Sequence, residues 1–197
     1  MKKGLLLVIS GPSGVGKGTV IDSLLENDDM AYSVSATTRS PRPGEIDGVD
    51  YNYITKEEFR TLIENGDVLE YAEYTGNYYG TPRKFVERKL NEGKSVILEI
   101  ETCGAMQIKK KMPEAVLIFI CPPSLEELES RLRGRGTETE EVILRRLEQA
   151  KKEIVLIPEY DYAVVNENGG WKKAADDVRD IVNAELHSTV RCEYPKL

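Results

Sequence analysis

The sequence predicts an α/β protein built on a parallel sheet. The short unbroken apolar runs at 5–9, 95–100 and 115–120 suit strands buried on both faces. Stretches with helical spacing separate them, and that alternation is the pattern of strands joined through flanking helices. A chain of 197 residues, 40% hydrophobic and 31% charged, has ordinary globular composition and enough length to bury a sizeable core.

The first strand runs into Gly11-Pro12-Ser13-Gly14-Val15-Gly16-Lys17, and helical spacing resumes with Val20, Ile21, Leu24 and Leu25. Strand, glycine loop, lysine and helix form the nucleotide-phosphate pattern G-x-x-x-x-G-K, in which backbone N–H groups turn inward around a polyphosphate. Lys17 would reach the β- and γ-phosphates as a point charge. The residue after it, commonly a Ser or Thr whose hydroxyl meets Mg²⁺, is Gly18, with Thr19 one place later. A metal here would be held mostly by phosphates and waters. The competing reading is a strand-to-helix turn with no ligand.

A second strand is expected at 32–36, followed by a polar segment punctuated by Pro and Gly, with a turn at Asp47-Gly48. Thr55 and Glu58 form a capping box for a helix through Phe59, Leu62 and Ile63 that closes near Gly66. The tyrosine-rich stretch 68–81 reads as extended. A helix with Pro82 at its first position should end at Gly93. Ser124 with Glu127, and Thr137 with Glu140, cap two further helices; Ile143, Leu147, Ala150 and Ile154 share one face of the second. A strand at 162–165 and a terminal amphipathic helix from Trp171 to about Arg191 complete the series. Two stretches stand out from the alternation as insertions: 35–83, mixed and polar, and 124–155, helical and Arg-rich. The core would comprise 1–34, 84–123 and 156–197.

A net charge of −7 argues against broad electrostatic binding to nucleic acid or an acidic membrane, so anionic ligands must be held by local arginines. The sequence contains no apolar run of membrane-spanning length, and its first residues are too quickly polar for a signal peptide. Cys103, Cys121 and Cys192 are scattered and odd in number, as expected of reduced thiols in the cytoplasm. Cys103 reads as a small buried filler, and Lys109 to Lys111 as a solvated helix end.

Four motifs in order, GPSGVGKGT, SATTRSPRPGEIDGVDY, LEYAEYTGNYYGT and RLRGRGTETEEVILRRL, resemble the guanylate kinase family over residues 4 to about 166. The resemblance implies a P-loop NTPase-type core with a parallel five-stranded sheet flanked by helices, a mixed α+β GMP-binding insertion and a helical lid. It implies phosphoryl transfer from ATP to GMP, and to dGMP, with Mg²⁺ as Mg-ATP; the partners are ATP and GMP, with no nucleic acid or membrane, in a monomer or small homo-oligomer. By resemblance Ser35, Arg39, Arg42, Glu45, Tyr51, Glu70, Tyr79, Thr81 and Glu101 meet GMP, with Glu45 orienting the arginines. Arg131, Arg135 and Asn166 join residues 11–19 on ATP, and Arg135 and Arg146 act with Lys17 and Arg39 on the transferring group. Glu99 would organise Mg²⁺ through water.

The residues themselves agree with that assignment. Arg39 and Arg42 bracket Pro41 and could aim two guanidiniums at one phosphate, although an isolated R-x-x-R would sooner be read as a solvated loop. A carboxylate accepts from guanine N1–H and N2–H and would face an acceptor in adenine, which suits Glu70; an exposed strand carboxylate is the alternative. In EIETCGA the family commonly shows D-I-D-x-Q-G-A, so Glu99 and Glu101 keep the charges on longer arms and Cys103 replaces an amide. His187 is expected to be structural or exposed, and Arg133 and Arg145 solvated. A non-catalytic phosphopeptide-binding module and a kinase for another phosphorylated acceptor are the competing functions.

Overall fold

The structure, a computed structural model, describes residues 4–26, 28–134, 136, 138–189 and 191. Its centre is a five-stranded parallel sheet of β1 (Leu6–Ser10), β2 (Met30–Tyr32), β7 (Ser95–Glu99), β8 (Val116–Cys121) and β9 (Tyr162–Val165), in the order β2-β7-β1-β8-β9. Alternation along β1 explains why the run is continuous: Leu7 and Ile9 face one core and Leu6 and Val8 the other. The first core is closed by Val20, Ile21 and Leu24 of α1 (Lys17–Leu24) and Ala174, Ala175, Val178 and Val182 of α7 (Trp171–Glu185). The second takes Val86 and Leu90 of α3 (Arg83–Asn91) and Ala105 and Ile108 of α4 (Thr102–Lys111).

The chain leaves β1 toward β2 and β7 on one side and toward β8 and β9 on the other, so the crevice beyond the C-terminal end of β1 is a switch point where ligands bind. Both expected insertions emerge there. The first forms a second sheet, β3 (Ala36–Thr37), β4 (Asn52–Tyr53), β5 (Val68–Tyr74) and β6 (Asn77–Pro82), in the order β4-β3-β6-β5, with α2 (Lys56–Glu64) beside it. Leu69 of β5 enters the second core and anchors this unit. The second insertion is α5 (Leu125–Gly134) and α6 (Glu140–Ile154), which share a core of their own from Leu128, Leu132, Ile143, Leu147 and Ala150.

Several element boundaries differ from expectation. The run expected as one strand at 32–36 is divided between the two sheets, because β2 stops at Tyr32 and β3 starts at Ala36. Pro82 is the N-cap of α3 rather than its first helical residue, and it still belongs to β6. The N-cap of α6 is Thr139, without a side-chain hydrogen bond, so the expected cap at Thr137 is displaced; Thr137 itself lies outside the described residues. α7 ends at Glu185, short of Arg191. The Thr55–Glu58 capping box forms as expected, and Ser124 Oγ accepts from Glu127 N–H at 3.2 Å.

Candidate active site

β1 delivers the glycine loop to the crevice, and α1 begins at Lys17 itself. Gly16, just before it, has φ +92°, and a Cβ there would sit 2.7 Å from Asn166 Nδ2. Both backbone sign and available space therefore require glycine. The loop is braced through one carbonyl. Asn166 Nδ2 donates to Val15 O at 2.8 Å, Arg131 Nη1 donates to the same oxygen at 3.3 Å, and Arg131 Nη2 donates to Asn166 O at 2.9 Å. Glu127 fixes Arg131 from the preceding turn at 3.0 Å. Pro12 and Val15 are buried, while Ser13, Gly18 and Thr19 are exposed on the loop and first turn.

Lys17 Nζ donates to Gly11 O at 2.6 Å and Pro12 O at 3.2 Å. Burial lowers its pKa, and the carboxylates of Glu99, Glu153 and Glu101 oppose that loss. Above it lies a cavity of about 440 Å³ whose wall includes Gly11, Ser13, Glu99, Glu101 and Arg146. Arg146 crosses from α6 to the loop, donating Nη1 to Ser13 Oγ at 3.0 Å while Nη2 pairs with Glu138 Oε1 at 2.6 Å.

A second cavity of about 240 Å³ adjoins the first and shares Ser35, Tyr51, Glu99 and Glu101 with it. Its far wall carries Glu70, Tyr79 and Gly104. Glu70 is 4% exposed and accepts from Thr81 Oγ1 at 2.7 Å, which removes the reading of an exposed strand carboxylate. Burial raises its pKa, opposed by the Thr81 hydrogen bond and by Lys111. Gly104 makes room for it, since a Cβ at that position would lie 2.5 Å from Glu70 Oε2.

Arg39 adjoins this region through Tyr51, which lines both cavities. Its guanidinium meets Glu45 with Nη1 to Oε2 at 2.8 Å and Nη2 to Oε1 at 3.0 Å. Glu45 Oε2 also accepts from Tyr53 OH and from Arg42 N–H, each at 2.7 Å. These donors, led by Arg39, hold the Glu45 carboxyl at about 2. Arg39 lies 5.2 Å from the Tyr51 ring centre, and Tyr51 and Tyr79 meet edge to face at 6.0 Å. Arg42 contributes its backbone N–H here, and its side chain is exposed.

Three expectations are corrected or left open. Cys103 is exposed and lines the second cavity, because the start of α4 turns it outward between buried Thr102 and Gly104. The α4 end is not merely solvated: Lys111 Nζ donates to Leu69 O at 2.9 Å, and Lys109 Nζ contacts Glu159 at its carbonyl and carboxylate. Arg135 and Cys192 lie outside the described residues. Arg133 is exposed and pairs with Glu129 and Glu140, away from the cavities. Tyr32, Asp50, Gln149 and Glu153 line the first cavity and were not anticipated.

The family model described as guanylate kinase matches residues 3–185 of the chain. The chain belongs to the guanylate kinase family. It is 57% identical to a guanylate kinase of Lactococcus lactis over 191 residues, covering 96% of this chain and 92% of that one. It is 56% identical to a guanylate kinase of Streptococcus pneumoniae over 185 residues, covering 93% and 88%. The crystal structure of a guanylate kinase from Anaplasma phagocytophilum superposes with a TM-score of 0.78 at 39% identity, covering 98% of this chain and 91% of that one. Glu99 and Glu101 line both cavities, and Cys103 lines the second. No helix among the described residues is long and apolar enough to cross a membrane.

Proposed function

We propose that this guanylate kinase family member transfers the γ-phosphoryl group of ATP to GMP, giving ADP and GDP, with the reacting phosphates in the 440 Å³ cavity and guanine in its 240 Å³ neighbour. The observation that carries the reading is the buried Glu70–Thr81 pair, opening onto a cavity that adjoins the one above Lys17. Glu70 accepts from guanine N1–H and N2–H. Ser35 supplies a hydroxyl to the base and Glu101 supports its edge; Thr81, fully buried and expected to reach the base, instead spends its hydroxyl proton on Glu70 and holds that carboxylate in place. An acceptor such as adenine N1 would leave that carboxylate facing a lone pair in a desolvated pocket.

Catalysis is positioning and electrostatics. The GMP phosphate is already an anionic nucleophile and needs no general base. Arg39, aimed by Glu45, and Arg42 grip that phosphate, with Tyr51 and Tyr79 as further donors. Lys17 and Arg146 face the transferring group. Arg131 and Asn166 act on ATP by fixing the Val15 carbonyl and with it the loop whose N–H groups cradle the phosphates. Arg135 joins the arginines on the strength of the resemblance.

No group of three or more His, Cys, Asp or Glu among the described residues could hold a metal unaided. That suits an ion brought in on ATP, with the Glu99 carboxylate accepting hydrogen bonds from its waters and the Gly18 position supplying no ligand. Such a Mg²⁺ would neutralise phosphate charge. The free thiols Cys103 and Cys121 support a reducing, cytoplasmic setting.

A coupled assay of ADP release with GMP, dGMP, AMP or no acceptor tests the proposal. ADP release that needs GMP and accepts dGMP is expected. Equal rates without acceptor would leave a binding module or an ATPase.

A further inference from the structure

The last turn of α6 carries a carboxylate that the reaction as described does not use. Glu153, rather than the expected Ile154, is the buried residue that follows Ile143, Leu147 and Ala150 along α6, and it is 9% exposed; Ile154 packs against the second core instead. A negative charge at a helix C-terminus also opposes the helix dipole. Its hydrogen-bond partner is an amide rather than a cation, Gln149 Nε2 donating to Glu153 Oε1 at 3.0 Å. Burial and dipole both weigh against a carboxylate here, and a residue that breaks two local rules at one position points to function.

What faces it supplies the reason. Glu153 and Gln149 line the cavity above Lys17. Lys17 lines the same cavity from the phosphate loop and Glu101 from the N-cap of α4. Asp50, Glu99 and Arg146 are the other charged residues of its wall, Arg146 being engaged by Glu138 and Ser13.

We propose that Glu153 is a positioning residue for Lys17, a counter-charge carried on the lid that holds the lysine's field while the cavity is empty and opposes nucleotide phosphates once they enter. The inference rests on reading that cavity as the phosphate site. Burial strips Lys17 of solvent, and Glu99, followed by Glu153 and Glu101, replaces part of that stabilisation. Polyphosphate takes over the role and brings like charge against Glu153. ADP is therefore held less tightly than Lys17 and the arginines alone would hold it, which favours release in an enzyme that must reopen at every turnover.

The test is ADP affinity of the full chain by titration calorimetry, beside steady-state kinetics. Glu153→Gln should bind ADP about tenfold tighter, as removal of one like charge at cavity range allows, with both KM for ATP and kcat lowered. Glu153→Leu, which makes the position apolar, should tighten binding as well and answers for packing if the Gln variant folds poorly. Glu153→Asp keeps the charge and should stay near wild type. Unchanged or weaker ADP binding in the Gln and Leu variants, or tightening in the Asp variant, overturns the inference. Lys17→Met separates it from the site reading. Lost ADP binding there, with no tightening in Glu153→Gln, refutes the role of Glu153 alone, whereas ADP binding retained in Lys17→Met refutes the site.

Discussion

Arg39 and Glu45, six positions apart in a loop of the inserted sheet, meet through two parallel hydrogen bonds of 2.8 and 3.0 Å. The pair is partly shielded, with the Arg39 side chain 14% exposed and Glu45 19%. A forked contact of this kind fixes the plane of a guanidinium as well as its place. In the proposed reaction Glu45 therefore preorganises Arg39 for the GMP phosphate.

Glu45→Gln should raise KM for GMP several-fold with a smaller effect on kcat, because Arg39 remains but is no longer aimed. The wild-type pair also has a defined acid limit. The Glu45 carboxyl is lowered from 4.5 to about 2. Its contribution to loop order is complete above pH 4.5 and is lost as pH falls from there toward about 2. GMP binding followed down that range should weaken in the wild type more than in Glu45→Gln.

Glu70 has the opposite sign. Burial raises its pKa above the ordinary 4.5, so ionising it costs the folded state. The favourable contribution exists below pH 4.5 and disappears as pH rises through the folded-state value. Glu70→Gln should accordingly melt no lower than wild type at neutral pH, while its preference for GMP over AMP falls by about tenfold or more. A stable variant with unchanged base preference would show that this carboxylate does not read guanine.

How much of this was legible in the sequence depends on how local each cause is. The strand Tyr162–Val165 was readable to the residue, since its run is bounded by polar Asp161 and Asn166, and the Thr55–Glu58 cap needs only residues three apart. The run from Tyr32 to Ala36 was misread because β-forming residues do not reveal which of two sheets they join. Remote partners were invisible in the same way. Lys111 finds Leu69 O 42 positions away, and Arg131 finds Val15 O 116 positions away. The motif residues could be identified one by one, but the bracing of the phosphate loop through a single carbonyl could not.

That bracing predicts the outcome of a small substitution. Gly16→Ala places a methyl group against Asn166 Nδ2 and asks an L side chain to hold φ +92°. Strain of roughly 1–3 kcal/mol is expected, and the Asn166–Val15 bond should open to relieve it. Thermal unfolding should fall by several degrees, and ATP binding should weaken beyond what the stability loss explains. Asn166→Ala in the same chain removes the clash but not the backbone strain, so it should restore only part of the melting temperature.

Gly104→Ala separates pocket shape from pocket chemistry. Gly104 lies in α4, where alanine is a better helix former by about 1 kcal/mol, so the helix itself should gain. The added methyl would nevertheless stand 2.5 Å from Glu70 Oε2 and must push the carboxylate off its Thr81 hydrogen bond. Displacing a buried carboxylate leaves both it and the Thr81 hydroxyl short of a partner, which opposes the helical gain. The variant should therefore lose GMP affinity by about tenfold or more while ATP binding, which depends on Lys17 and the loop across the crevice, stays near wild type. Parallel titrations with GMP and with ATP check this. Equal weakening of both would mean that Glu70 is coupled to the phosphate loop through the sheet and does not serve the neighbouring cavity alone.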